Sequence, residues 1–200
     1  MRRLILAALL AAPLMASAAN LVVNGSFEAN VQGNGSWNIY PNLTGWTGGA
    51  DGIELRDNVA GAAYDGANYV ELDTYTNSSM SQSIGTTLGT QYILSFAYSP
   101  REGVLAASNG IEVFWNGVSQ GVFTGNGGSG NVWAEASMTV TGAASTSSLS
   151  FQAVGTSDSL GGSLDAVSLT AAVPEPETYA LMLAGLGAIG FVARRRRTPA

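Results

Sequence analysis

Q-Y-I-L-S-F-A-Y-S at Gln91–Ser99 and G-I-E-V-F-W-N-G-V-S-Q-G-V-F at Gly110–Phe123 decide the fold of this chain. In the first stretch Tyr92, Leu94, Phe96 and Tyr98 share one face, while Ile93, Ser95 and Ala97 share the other. A period of two is the signature of a strand. Pro100 stops it, because the residue before a proline is pushed away from regular pairing geometry. In the second stretch Ile111, Val113 and Trp115 alternate. Asn116-Gly117 then supplies the two left-handed residues of a type I′ turn, so a hairpin into Val118–Phe123 is expected.

Working outward, further strands are expected at Leu21–Val23, Gly52–Arg56, Asn68–Asp73, Met80–Ile84, Val132–Val140, Ser147–Val154 and Gly162–Thr170. Turn clusters of Gly, Ser, Asn and Thr separate them, and strong helix signals are missing. Ten or so short strands fill two packed sheets, so the fold class is an all-β, two-sheet sandwich. T-G-N-G-G-S-G at Thr124–Gly130 is too rich in glycine for an element and reads as a mobile loop.

Both ends read as processing signals. Met1-Arg2-Arg3, an apolar run from Leu4 to Leu14 and the small residues Ala16-Ser17-Ala18 form a signal peptide over 1–18. A domain over 20–172 follows. Residues 173–177, V-P-E-P-E, are a linker, and 178–193 are an uncharged run of about 24 Å as a helix, near the length of a membrane span. Arg194–Arg197 open a basic tail over 194–200, which favours the cytoplasmic side and puts the domain outside that membrane.

Six of the eight arginines lie in those two ends, and there is no lysine. The domain keeps Arg56 and Arg101 against 12 of the 14 acidic residues, a net charge of −10. Such a surface repels phosphate, which excludes nucleic acid. No cysteine is present, so the core alone holds the fold. No histidine is present either, which removes a Ser-His-Asp triad and the usual ligands of zinc and copper.

V-P-E-P at Val173–Pro176, the apolar run and the terminal arginines, in that order, resemble the PEP-CTERM sorting signal of Gram-negative bacteria. The resemblance implies export, recognition of Pro174, Glu175 and Pro176 by an exosortase-type protease, transient residence in the inner membrane, and an exopolysaccharide or biofilm setting. A second resemblance spans the domain. L-V-V-N-G-S-F-E at Leu21–Glu28, D-G-A-N-Y-V-E-L-D at Asp65–Asp73 and S-L-D-A-V-S-L at Ser163–Leu169 are similar to galactose-binding-like jelly rolls, which include many carbohydrate-binding modules. That resemblance implies a structural calcium on Glu28 and Asp165, with the carbonyl of Ser26. Calcium takes oxygen donors, and a cation relieves the repulsion of two carboxylates.

It also implies polysaccharide binding by exposed aromatic rings, which stack on the C–H faces of sugars. Trp37 and Tyr40, in the loop-like G-N-G-S-W-N-I-Y-P, are the leading candidates; Tyr64 and Tyr75, flanked by polar residues, come next. Trp46, Tyr98, Trp115 and Trp133 are further candidates, with Trp46, Trp115 and Trp133 expected in the core. The function expected is non-catalytic polysaccharide binding in the envelope or matrix. A structural or adhesive protein without a glycan site is one alternative. An enzyme using Glu54 with Asp57, or Glu71 with Asp73, is the other, since alternation puts the last two on one strand face.

Overall fold

The computed structural model describes residues 19–172 and 182–190. Residues 19–172 form a compact unit with its own core. Twelve strands make two six-stranded sheets. The first contains β1 (Ser36–Tyr40), β4 (Ile53–Asp57), β5 (Asn68–Glu71), β12 (Ser163–Ala171), β7 (Gln91–Ser99) and β10 (Ala134–Thr141), in that spatial order. The second contains β2 (Asn42–Leu43), β3 (Trp46–Gly48), β6 (Ser79–Gly85), β11 (Thr146–Val154), β8 (Gly110–Trp115) and β9 (Val118–Phe123). All pairings are antiparallel among the described residues. The all-β sandwich expected from the sequence is what forms.

The inward faces carry the residues the alternation marked. Leu94, Phe96 and Tyr98 of β7 meet Ile111, Val113 and Trp115 of β8 and Leu149, Phe151 and Ala153 of β11 in one buried core. Phe96 stacks edge-on to both Phe123 and Phe151. Asn116 and Gly117 have φ of 52° and 76°, as a type I′ hairpin requires. Trp46, Tyr98 and Trp115 are core residues, and their polar atoms find main-chain carbonyls of Asn24, Asn109 and Thr141.

Three local expectations change. Leu21–Val23 is not a strand: it docks on β12 through the Leu21 N–H to the Leu169 carbonyl, while the Asn20 side chain accepts from Val22 and Leu169. Asparagine competes there with ladder bonding and turns the chain instead. Ser36–Tyr40, read as loop, is an edge strand paired with β4. The glycine-rich stretch from Thr124 to Gly130 forms no element but is tied to the 101–109 connection. Gly127 donates to Val104, Gly128 accepts from Gly103, and Asn109 donates to Gly125.

Residues 182–190 are a short exposed helix, α1. Among the described residues no helix is long and apolar enough to cross a membrane. The signal peptide over 1–18, the motif residues Pro174, Glu175 and Pro176, most of the flanks of 178–193 and the tail over 194–200 lie outside the described residues.

Candidate functional site

The inner strands of the first sheet, β4, β5, β12 and β7, are largely buried on both sides. Its inner face is apolar, with Ile53, Leu55, Val70 and Leu164 in the core. Its outer face alternates to Glu54, Arg56, Tyr69, Glu71, Ser163, Asp165, Ala97 and Ser99, and all of these are buried too. The cover comes from connecting segments. Residues 58–66, between β4 and β5, fold back and meet 131–133 ahead of β10. Trp133 Nε1 and Asn131 Nδ2 both donate to the Ala62 carbonyl, and Trp133 stands edge-on to Tyr69 and to Tyr64.

At the border of this cover lies a hollow of about 180 Å³. Ser95, Ala97 and Ala166 form its small-residue floor, and Tyr64 and Glu135 form its rim. The Tyr64 ring is 43% exposed. Its hydroxyl donates to the Glu135 carboxylate, which holds the phenol above its ordinary pKa. Small side chains on a sheet surface leave room for a ring-sized ligand; a tyrosine face and the exposed Glu135 carboxylate supply the stacking surface and hydroxyl acceptor that a sugar needs.

Asp165 sits beneath this rim. Its strand carries a bulge between Asp165 and Ser168, with Ala166 at φ 49°. The bulge turns the Asp165 carboxylate toward the covering loop. Oδ2 accepts from Tyr64 and Asp65 N–H at 2.9 Å each, and Oδ1 accepts from Ala166. Burial nevertheless pushes its pKa up to about 7. Glu28 holds the other end of the same loop, accepting from Ala67 at 2.8 Å and Asn68 at 2.6 Å, but Glu28 itself is exposed. Ser26 lies in the turn between them: Gly25 accepts from Val167 N–H, and Phe27 is fully buried with φ 62°. Glu28 and Asp165 thus grip one loop from two sides. Among the described residues no group of three or more acidic side chains converges.

The other acidic pairs are occupied. Arg56, fully buried, bonds Glu54 at 2.6 Å and is paired to Glu71. Burial opposes its charge, but Glu71 and Glu54 together raise its pKa. Glu71 also accepts from Arg101 at 2.9 Å and from Gly161 N–H at 2.6 Å. Desolvation outweighs these partners and pushes Glu71 up to about 8. Asp73 accepts from Asp158 and Leu160 N–H at 3.0 and 3.2 Å. Glu71 and Asp73 therefore both fasten the 157–161 connection. Asp57 turns instead to Asn58.

The four predicted ligand rings are not brought together. Trp37 lies outward on edge strand β1, 54% exposed, opposite Arg56. Tyr40, three residues on, packs against the core with its hydroxyl on Gln32. Tyr75 projects from the β5–β6 connection, 72% exposed, beside Asp51. Sequence reasoning missed Glu135 and left Trp133 in the core. The alternation A-E-A-S-M at Ala134–Met138 held the signal for Glu135, since it puts Glu135 outward beside Ala97.

Comparison with known proteins adds the following. Residues 172–197 match the PEP-CTERM protein-sorting motif. The chain carries that motif. It is 35% identical over 152 residues to a multifunctional-autoprocessing repeats-in-toxin protein of Vibrio vulnificus, which covers 75% of this chain and 3% of that protein. Among solved structures it resembles TmCBM61 in complex with β-1,4-galactotriose, with a TM-score of 0.50, 16% identity, and coverage of 78% of this chain and 100% of that one. A family 35 carbohydrate-binding module from Clostridium thermocellum matches with a TM-score of 0.45 and 19% identity, over 68% of this chain and 99% of that one. The architecture shared with TmCBM61 is the two-sheet β-sandwich.

Proposed function

We propose that this chain is an exported, non-catalytic binder of neutral polysaccharide. The observation that carries the reading is the hollow over β7 and β12, where the half-exposed Tyr64 ring and Glu135 stand over the small floor of Ser95, Ala97 and Ala166. The net charge of −10 on the domain disfavours anionic glycans. Glu54, Glu71 and Asp73, the carboxylates an enzyme would need, are engaged in buried ion pairs or in fastening a connection. β-1,4-galactan is a fitting first probe, because one solved structure of this fold, TmCBM61, holds β-1,4-galactotriose. Affinity electrophoresis in gels of β-1,4-galactan, β-1,4-mannan, β-1,4-xylan or β-1,4-glucan, with alginate as anionic control, tests it. Retardation is expected in a neutral gel and not in alginate. Tyr64→Ala should weaken uptake at this hollow at least about tenfold without changing Tm. No retardation in any neutral gel contradicts the reading.

The ends give the route. Residues 1–18 would be removed on export, 178–193 would sit in the inner membrane, and a protease of the exosortase type would cut near Pro174-Glu175-Pro176, releasing the domain to the envelope or an exopolysaccharide matrix. The matched motif at 172–197 supports this. Intact mass of the mature protein checks it: termini near Ala19 and Ala172 fit, an unprocessed chain does not.

A calcium ion is proposed at Asp165, Glu28 and the Ser26 carbonyl. The donors are hard oxygens, and Asp165 buries a charge that no cation among the described side chains offsets. Among the described residues no third carboxylate completes a metal cluster, so main-chain carbonyls would complete the shell. The ion's chemistry would be structural: it would fix the loop that carries Tyr64.

A further inference from the structure

We infer that the domain has a second glycan site, separate from the Tyr64 hollow, and so cross-links polysaccharide chains. A second hollow, of about 270 Å³, lies at the pole where chain passes between the sheets. Ile39, Pro41, Ala50, Asp51, Gly52 and Tyr75 line it. Tyr75 presents a ring that is 72% exposed. Asp51 faces it, with one carboxylate oxygen on the Thr76 hydroxyl and its carbonyl on the Thr74 hydroxyl. The floor is rigid: Gly52 has φ 75°, and a Cβ there would press on the Tyr40 carbonyl. Ser78 also donates to the Gly52 carbonyl at 2.7 Å.

The site continues along β1. Ile39 of this hollow and Trp37 lie on the same strand face, roughly 7 Å apart along it. Trp37 is 54% exposed and, among the described residues, has no ring partner. A tyrosine and an isoleucine in the hollow and a tryptophan on the same strand face as that isoleucine, with one carboxylate and a threonine hydroxyl nearby, match apolar ring faces and hydroxyl edges of an uncharged glycan. A buried-type hydrophobic role fails for both rings, since the core closes without them.

The two sites lie on different flanks. In the sheet order β1-β4-β5-β12-β7-β10, the Tyr64 hollow sits over β7 and β12, while Trp37 is on β1. Four strand steps of about 4.8 Å separate β1 from β7, roughly 19 Å. Between them the outer face is sealed by the 58–66 and 131–133 segments. Two independent sites of modest affinity on one rigid body give avidity and bridging, which suits a protein placed in a polysaccharide network.

The inference rests on neutral-glycan binding by this domain, and the test separates the two ideas. Residues 19–172 are titrated calorimetrically with β-1,4-galactotriose and with the corresponding trisaccharides of mannan, xylan and glucan. Turbidity of each polysaccharide solution is followed in parallel. Two trisaccharides per chain and turbidity with at least one polysaccharide are expected. Trp37→Ala/Tyr75→Ala should bind one trisaccharide per chain and lose turbidity, and Tyr64→Ala should do the same. Complete loss of binding in Tyr64→Ala overturns the second site and leaves the first. Full stoichiometry in Trp37→Ala/Tyr75→Ala overturns it equally. No binding by the unsubstituted domain overturns both. Trp37 and Tyr75 are exposed, so matching Tm values confirm that the variants fold.

Discussion

Glu71 and Asp165 set the chemistry of single residues in this domain. Both are fully buried carboxylates whose pKa is pushed up by desolvation, to about 8 and about 7. The folded state therefore holds these protons more tightly than the unfolded chain does. Their contribution is complete below the ordinary carboxylate range and is lost as pH climbs through about 7 to 8. Thermal melts of residues 19–172 should show Tm falling by roughly 5–10 °C from about pH 5 to about pH 8. Saturating calcium should flatten that slope, because a cation favours ionised Asp165; a slope indifferent to calcium argues against the proposed ion. Glu71 also answers for Arg56. Glu71→Ala leaves the buried Arg56 guanidinium with Glu54 alone and should cost about 3 kcal/mol in urea unfolding, while Glu71→Gln should cost less and leave glycan retention unchanged. Loss of retention in Glu71→Gln at full stability would return that carboxylate to the functional site. None of this burial was visible in the sequence, where E-L-D at Glu71–Asp73 shows only two acids on one strand face. The covering loops that desolvate it come from residues tens of positions away.

Elements were far more legible than sites. β7, β8 and β9 follow directly from a period of two and an Asn-Gly turn, since those signals are local. β1 was missed because S-W-N-I-Y is short, polar in flank and stops at a proline; its pairing with β4 is decided by tertiary contact. Leu21–Val23 failed in the opposite direction: three β-favouring residues are too few when an asparagine at each end bonds the backbone. That N-terminal segment is nonetheless locked to β12. A Cβ on Gly25 would overlap the Val167 carbonyl, backbone against backbone. Gly25→Ala should therefore lower stability by about 2 kcal/mol or more, judged by urea unfolding, and should raise amide exchange at Leu21 and Val167 first. A neutral effect would mean that the segment is not an integral part of the sandwich.

At the scale of the molecule, a sandwich closes its own core and, among the described residues, leaves three aromatic side chains exposed. Tyr64, Trp37 and Tyr75 stand at two hollows on separate flanks, with Glu135 and Asp51 beside them. The sequence named all three rings but could not group them, because the grouping depends on a loop folding back over a sheet and on a strand read as loop. A sorting motif at the end of the chain accounts for delivery rather than binding. The decisive measurement is retention of residues 19–172 in neutral polysaccharide gels beside the variant Trp37→Ala/Tyr64→Ala/Tyr75→Ala. The account predicts that the unsubstituted domain is retarded and that the triple variant, with the same Tm, migrates as in a gel without glycan. Equal migration of the two proteins in every neutral polysaccharide would contradict it.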